Sequence, residues 1–371
     1  SCATVASEFR NGMTEPGHSK GFMCRMDSVN ALQMRPQSGR QVQHSDRSRA
    51  SEMNRPQMFR LGLVYILACA MTNGVQAADT GGQSEGSVLQ SDVVTDLGDV
   101  SMLSDRHRNF ARRFVEFLTQ MDAFYFGGTE NLNQNGATET RSITNEYGAY
   151  HAKVARGNVI EKAGRSLNIT DKPTAWFQKD SDWSRYYLLD SHPKTPRVGM
   201  LHAAIVMKFF PDGSSTIAGF LDILKSANQP EDLRLLEQSI GEVYEKYDID
   251  PQPYRHTSCM GIEDDSDGME TNKRFRRKSE CVGGSFYARP LFEVNERNFA
   301  FMLEAYETFV RTYFDIIERR ADEPVSAEDL KAQDAMRRNW LEDRFFSDPF
   351  TQNVTPYEIW SFMSLPPNVK F

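Results

Sequence analysis

Apolar side chains recur at helical spacing in four stretches of the chain: residues 104–126, 230–247, 295–320 and 326–346. Spacings of three and four residues place these side chains on one side of a helix, which is typical of an amphipathic helix packed on a core. Ser104 stands where it can cap the first of these helices. Ser326, followed three residues later by Asp329, is close to a capping box. The pattern therefore predicts four long helices.

Shorter apolar runs have strand character and lie mostly in the first half of the folded region. They are Val159–Ile160, Leu167–Ile169, Tyr186–Leu189 and Met200–Phe210. Because strands and helices are grouped and do not alternate regularly, a doubly wound parallel sheet is disfavoured. The expected fold class is α+β, with a large, mostly antiparallel sheet flanked by helices in one domain at residues 101–371.

The first hundred residues differ from the rest in amino-acid composition and in the pattern of apolar positions. Residues 1–57 are rich in Ser, Gln, Arg, Met and Gly without an apolar period, which indicates a disordered or upstream segment. Residues 58–77 combine an apolar run, Leu61–Met71, with the small-residue site Val75-Gln76-Ala77, the form of a signal peptide. Residues 78–100 are rich in Gly, Ser and Asp and are predicted to be a linker.

The apolar run at Leu61–Met71 is short for a membrane span, which needs about 20 residues. A removed signal is therefore favoured over a permanent anchor, and lipid attachment at Cys69 is left open. The expected location is outside the cytoplasm: the periplasm, or an organelle space in a eukaryote.

The chain carries 51 acidic and 43 basic residues, a net charge of -8. This balance disfavours wholesale binding to nucleic acid or to an anionic membrane surface. Cleavage after Ala77 would leave two of the five cysteines, Cys259 and Cys281. A disulfide between them and two free thiols both stay open, and no CxxC pair of the zinc type occurs.

The most polar segment contains two candidate sites. Residues 263–268 imitate the start of a calcium loop, but the position for the bidentate glutamate holds Arg274, so a solvated acidic insertion is favoured. The basic cluster beyond it includes Arg276, Arg277 and Lys278, ahead of two glycines. Such a cluster could bind a carboxylated or phosphorylated ligand, but the residues alone favour a solvated loop.

Three further side chains are candidates for chemistry. His202 lies in an apolar strand, where it is either a satisfied core residue or an acid–base group. Asp343 and Arg344 lie between aromatic and apolar residues, where a buried carboxylate requires N–H donors or a cation. A pair exposed on a helix surface would contribute little. The chain has no P-loop, Rossmann glycine pattern, nucleophile elbow or HExxH motif.

Six segments, in order, resemble motifs of the oxygen-dependent coproporphyrinogen oxidase family. They read VIEKAGRSLNI (159–169), HPKTPRVGMLH (192–202), VGGSFY (282–287), IIERRADEPVSAED (316–329), NWLEDR (339–344) and SFMSLPPNVKF (361–371). The resemblance covers most of the chain after residue 158.

The resemblance implies a flat antiparallel sheet between layers of helices, assembled as a homodimer. It implies oxidative decarboxylation of coproporphyrinogen III propionates to vinyl groups by molecular oxygen, with no metal or organic cofactor. Asp343 would accept hydrogen bonds from pyrrole N–H groups, Arg344 would steady the substrate's charge, and His202 would be the functional histidine. Asp222 and the cluster Arg276–Lys278 would bind substrate.

The chain departs from the family at several substrate contacts. Where the family carries Asn and Arg after the histidine, this chain has Ala204 and Val206, and the family's later aspartates are replaced by Ala288 and Arg289. These changes favour a second hypothesis beside the enzyme: an exported, non-catalytic tetrapyrrole-binding protein with the same fold.

Overall fold

A computed structural model describes residues 93–173, 179–260, 276–287, 290–346 and 355–370 of the chain. The predicted signal peptide at 58–77 and the acidic run at 263–268 lie outside these ranges, as do Ala288 and Arg289. None of the helices in the described ranges has the length and apolar character needed to cross a membrane.

The described residues contain a seven-stranded antiparallel sheet in which the strands lie side by side in chain order. The strands are β1 Thr138–Asn145, β2 Gly148–Ala155, β3 Ile160–Thr170, β4 Trp183–Pro193, β5 Leu201–Phe209, β6 Ser215–Ile223 and β7 Gly284–Ser285. Six helices accompany them, so the expected α+β class and antiparallel sheet are confirmed.

Four of these strands were not predicted from the apolar pattern of the sequence: β1, β2, β6 and the two-residue β7. β1 is polar and exposed along almost its whole length, so it lacks the apolar alternation that identifies a strand. It is an edge strand that pairs with β2 from Thr138 opposite Ala155 to Asn145 opposite Gly148. Its conformation is therefore set by this pairing and not by burial of its own side chains.

The helices are α1 Asp105–Asn133, α2 Pro230–Lys246, α3 Gln252–Met260, α4 Glu296–Arg320, α5 Ala327–Phe346 and α6 Tyr357–Met363. The four predicted helices are confirmed as α1, α2, α4 and α5. Ser104 caps α1 by accepting a hydrogen bond from the His107 N–H at 3.2 Å. Ser326 and Asp329 exchange two backbone-to-side-chain bonds of 2.9 and 3.1 Å, which is the predicted capping box.

Helices α1, α2 and α4 cover one face of the sheet, here called the first face, which carries Ala203 and Ile205 of β5. Phe114 of α1 and Phe309 of α4 are fully buried in the same apolar cluster as these strand residues. This face holds the main hydrophobic core.

Helices α5 and α6 cover the opposite face, here called the second face, which carries His202 and Ala204 of β5. Ile359 and Met363 of α6 pack on Ala204 in a small apolar cluster. Trp340 of α5 belongs to a neighbouring cluster with Trp360 of α6. The sheet therefore lies between helices on both faces.

The predicted linker, residues 78–100, ends earlier than the sequence indicated. Val94 is buried in the main core, within a short 3-10 helix at Val93–Thr95. The Trp183 indole N–H donates to the Leu97 carbonyl at 2.9 Å. Residues 93–100 are therefore part of the folded unit, because the Val94 side chain is buried in the core and the Trp183 side chain of β4 is hydrogen bonded to the Leu97 carbonyl.

Candidate functional site

Three of the chemistry-bearing side chains lie in one row across the second face. In the strand register Asp190 of β4 is directly opposite His202 of β5, and His202 is directly opposite Asp222 of β6. Directly paired residues of an antiparallel sheet project to the same side, so these three share a face. His202 and Asp222 were predicted site residues, whereas Asp190 was not.

His202 is hydrogen bonded through its Nδ1 to Asp190 Oδ1 at 2.7 Å. The Asp190 carboxylate is fully buried, while the His202 side chain keeps 22% of its surface exposed. The imidazole lies between two aromatic rings, with centroid distances of 5.2 Å to Phe220 and 5.1 Å to Trp340. The ring is therefore fixed by one polar contact and two apolar neighbours.

Asp343 is fully buried near the end of α5 and holds the chain segment 276–280, here called the basic segment. Its Oδ1 accepts the Arg276 backbone N–H at 2.7 Å, and its Oδ2 accepts the Arg277 N–H at 2.8 Å. The Arg277 guanidinium lies 3.9 Å from Oδ2. The N–H donors that the sequence led us to expect are thus supplied by the protein's own backbone.

The basic segment brings cationic side chains to this region. The Arg277 guanidinium lies 5.0 Å from the centroid of the Trp340 ring, whose other neighbour is His202. Arg276 forms an ion pair with Glu342 of α5, and the exposed Lys278 accepts the Lys225 N–H at its carbonyl at 2.7 Å. Arg277 is therefore the member of the cluster most directly linked to His202.

Arg344 is buried and is directed to the C-terminal helix. Its Nη2 donates to the Thr355 carbonyl at 2.8 Å, and its guanidinium lies 5.2 Å from the Trp360 ring centroid. The adjacent residues Asp343 and Arg344 thus hold two different segments, one on either side of α5 in the sequence.

Asp222 is fully buried, and its carboxylate accepts hydrogen bonds from the Ser258 hydroxyl and, at 2.9 Å, from the Ile223 N–H. Burial raises the pKa of Asp222 to about 7, and its hydrogen bonds oppose that rise. Ser258 precedes Cys259, which forms a disulfide with Cys281. The bridge that the sequence left open is therefore present, and Asp222 lies beside it.

Residues 355–370, here called the C-terminal segment, are held on the second face by side chains that sequence reasoning missed. Lys162 donates to the Ser361 and Leu365 carbonyls at 3.3 and 2.8 Å. His192 Nε2 bonds to the Ser364 carbonyl at 2.9 Å, and the Trp340 indole N–H donates to the same oxygen at 3.2 Å. Burial lowers the pKa of Lys162 to about 7 and that of His192 to about 3.

Close backbone approach completes this attachment of the C-terminal segment. A Cβ atom at Gly164, which is opposite Asp190 on β3, would lie 2.1 Å from the Met363 carbonyl oxygen. A side chain at this position would push α6 away from the sheet, so glycine is needed there.

No group of three or more His, Cys, Asp or Glu side chains within the described ranges is placed to hold a metal ion. The described side chains instead combine an imidazole, two aromatic walls and an arginine held by a buried carboxylate. This combination is suited to an anionic ligand that contains aromatic rings, because the Phe220 ring can pack on such a ring and the cation can bind acid groups. No protein-family model matches the chain, and a search of curated proteins also gave no match.

Proposed function

We propose that the protein catalyses oxygen-dependent oxidative decarboxylation of porphyrinogen propionates to vinyl groups, with coproporphyrinogen III as substrate. The observation that carries the proposal is the meeting of His202, Trp340 and Arg277 on one face of the sheet. These residues come from three separated stretches of the chain, each within or next to a segment that resembles the coproporphyrinogen oxidase family.

The reaction requires proton transfer and charge balance. For each side chain, one propionate, one oxygen molecule and one proton give one vinyl group, one carbon dioxide and one hydrogen peroxide. Two electrons pass from the substrate to oxygen. Removal of a pyrrole N–H proton makes the ring electron rich enough to react with oxygen directly, so the protein's part is to orient the ring and to accept that proton.

His202 is the group best placed to accept a proton, because its side chain is partly exposed while Asp190 holds one ring nitrogen. The partly exposed ring of Phe220 would pack against a pyrrole ring of the substrate, while the buried Trp340 ring supports His202 and Arg277 from behind. Arg277, near the Trp340 ring, would bind a propionate through charge-assisted hydrogen bonds. The exposed Lys278 adds a positive charge at the rim, which would attract a second acid group.

Asp343 has a different part in this proposal from the one that the family resemblance implies. Its two oxygens already accept the Arg276 and Arg277 N–H groups, so it acts by holding the basic segment in place. Arg344 likewise acts by holding the C-terminal segment. Asp222 supports the site from the neighbouring strand β6, through Ser258 and the adjacent disulfide.

The same proposal includes the assembly and location of the protein. A homodimer is expected from the family resemblance. The Cys259–Cys281 disulfide supports an oxidising compartment, since such bridges persist outside the reducing cytosol. This agrees with the signal peptide expected at residues 58–77.

The test is aerobic incubation of the full chain with chemically reduced coproporphyrinogen III, followed by oxidation and chromatography with fluorescence detection. We expect a product with two fewer carboxyl groups, which is not formed without enzyme or without oxygen. His202→Gln should reduce turnover at least 100-fold, at the lower end of what a general base contributes. The matched control is His256→Gln, at an exposed position on α3, which should keep full turnover.

Two outcomes would contradict the proposal. Unchanged turnover in His202→Gln would remove the proposed proton acceptor. Recovery of unmodified coproporphyrin alone, with a spectral shift on binding, would favour the non-catalytic tetrapyrrole-binding protein, in keeping with the apolar Ala204 and Val206.

A further inference from the structure

We propose that Asp190 is a positioning residue that fixes His202 in the tautomer carrying its hydrogen on Nδ1, so that Nε2 is presented as the proton acceptor of the site. The inference deepens the proposed function, and its catalytic part rests on that function. Its structural part, the tautomer, rests on the geometry of the Asp190–His202 pair alone.

The geometry of the pair leaves one direction for the hydrogen bond. Asp190 Oδ1 and His202 Nδ1 are 2.7 Å apart, within the range of a charge-assisted hydrogen bond. A carboxylate accepts hydrogen bonds and does not donate them, so the hydrogen must be on Nδ1. In a neutral imidazole the other nitrogen, Nε2, then has a free lone pair.

Asp190 has no other hydrogen-bonding partner for its side chain among the described residues. Its second oxygen, Oδ2, is buried and makes no hydrogen bond there. Tyr125 contributes a hydrogen bond of 2.9 Å, but to the Asp190 backbone carbonyl. A buried carboxylate is costly unless its contacts compensate for lost solvation. The free-energy cost of burying Asp190 is explained if its carboxylate is there to hold the His202 imidazole through the hydrogen bond to Nδ1.

A proton acceptor must be accessible to the ligand, and the Nε2 atom of His202 meets this requirement. Within the described part of the chain, His202 makes one hydrogen bond, through Nδ1. Nε2 is not among the buried polar atoms that lack a partner, so it lies on the accessible part of the ring. Phe220 and Trp340 hold the ring in this orientation. The ring therefore turns its donor edge to Asp190 and leaves its acceptor edge open.

Proton transfer at this site then balances without any further group. The N–H bond of a pyrrole breaks, the Nε2–H bond forms, and the electron pair stays on the pyrrole ring. The positive charge of the resulting imidazolium is compensated by Asp190, to which the Nδ1–H stays bonded. The ligand class is thus an N–H acid, and Asp190 stabilises the product of its deprotonation.

The primary test reads the tautomer directly, in full-length protein labelled with ¹⁵N at histidine. The His202 signal is identified as the one missing in His202→Gln. In the wild type we expect a protonated Nδ1 and an unprotonated Nε2. Asp190→Asn should lose this preference, because the asparagine amide can donate to Nδ1 and favour the other tautomer.

The matched control is Asp222→Asn, on the opposite neighbour of His202 in the sheet. Asp222 accepts hydrogen bonds from Ser258 and from the backbone N–H groups of Ile223, Cys281 and Val282. This variant should therefore leave the His202 tautomer unchanged. A wild-type His202 with its hydrogen on Nε2 would overturn the proposal. This outcome is read from the wild type alone, so the test stays decisive even if Asp190→Asn does not fold.

The catalytic arm separates this inference from the proposed function. If the wild type forms vinyl product, Asp190→Asn should lower kcat at least tenfold with a smaller change in KM, because the acceptor tautomer is used in the reaction and not in binding. Unchanged kcat together with an unchanged tautomer would reject Asp190 as a positioning residue. If the wild type forms no product, the proposed function fails, and the tautomer still decides whether Asp190 sets His202.

Discussion

Charged side chains buried on the two faces of the sheet illustrate two ways of satisfying a buried charge. On the first face, Asp122 of α1 accepts a hydrogen bond from Arg165 Nε at 2.8 Å and one from the Tyr187 hydroxyl at 3.2 Å. Arg165 and Asp122 are both buried. The Asp122–Arg165 pair is therefore satisfied mainly by side chains of the same core, and Arg165 adds one hydrogen bond to the His151 carbonyl at 3.0 Å.

On the second face, three buried charged side chains bond to the backbone of chain segments that pack on this face. Asp343 accepts two N–H groups of the basic segment, and Arg344 donates to the Thr355 carbonyl. Lys162 donates to two carbonyls of the C-terminal segment. Each of these side chains attaches a stretch of chain that borders His202 or Trp340.

This difference indicates what each face does. A substitution in the first face removes packing from the core and should be felt by the whole fold. A substitution of a charged residue in the second face frees a segment, so its effect should be concentrated near the candidate site. The three predictions that follow test this distinction.

The largest effect on stability is expected from Phe114→Ala on the first face. Phe114 is fully buried, and truncation of a buried phenylalanine typically costs about 3–5 kcal/mol in free energy of unfolding. Urea unfolding followed by circular dichroism measures it. The control is Phe345→Ala at an exposed position of α5, with a change within about 0.5 kcal/mol. A loss below about 1 kcal/mol for Phe114→Ala would remove the distinction between the faces.

A smaller effect, and a local one, is expected from replacing both Cys259 and Cys281 by serine. The bridge closes a loop of 22 residues, and the chain-entropy model gives roughly 3 kcal/mol for the freedom that this loop regains without it. Because the loop joins α3 to the basic segment, we expect that freedom to appear as local opening of these two parts while the core stays folded. Amide hydrogen exchange should accelerate in the basic segment and at the end of α3. Amides of α1 should keep their relative protection. Equal acceleration in α1 and in the basic segment would contradict a local role for the second-face segments.

The smallest effect is expected from Lys162→Met, and it is seen in the pH dependence of stability. Burial lowers the pKa of Lys162 to about 7, from 10.5. Between these values the unfolded chain holds more protons than the folded one, so this residue makes stability rise with pH. The slope is limited to about 1.4 kcal/mol per pH unit for one proton.

Urea unfolding of Lys162→Met at three pH values between 7 and 9 should show a shallower rise than the wild type. The control is Lys172→Met, at an exposed position, which should keep the wild-type slope. An identical slope in Lys162→Met would show that this lysine does not contribute through its burial.

The sequence predicted the parts of the molecule that depend on local pattern. The cap at Ser104, the capping box at Ser326 and Asp329, and the four long helices follow from neighbouring residues, and all are present. The polar strand β1 could not be predicted, because its conformation depends on pairing with β2.

The sequence predicted which residues belong to the candidate site better than it predicted their contacts. His202 and Asp343 were identified as single residues, but their partners are set by the fold. Asp190 meets His202 through strand register, and Asp343 meets Arg276 across 67 positions of the sequence. The signal for Asp190 was a lone aspartate in the apolar run YYLLD, which a search for buried charges in strands would have found.

The order of the strands has a consequence for the order of assembly during synthesis. Because strands β1 to β6 each pair with the next strand along the chain, the sheet can form hairpin by hairpin, with short loop closures. The contacts that attach the C-terminal segment span 203 positions, from Lys162 to Leu365. A nascent chain that has not yet reached residue 355 can thus contain the paired strands of Asp190 and His202, but the second face closes only after the segment up to Leu365 has been synthesised.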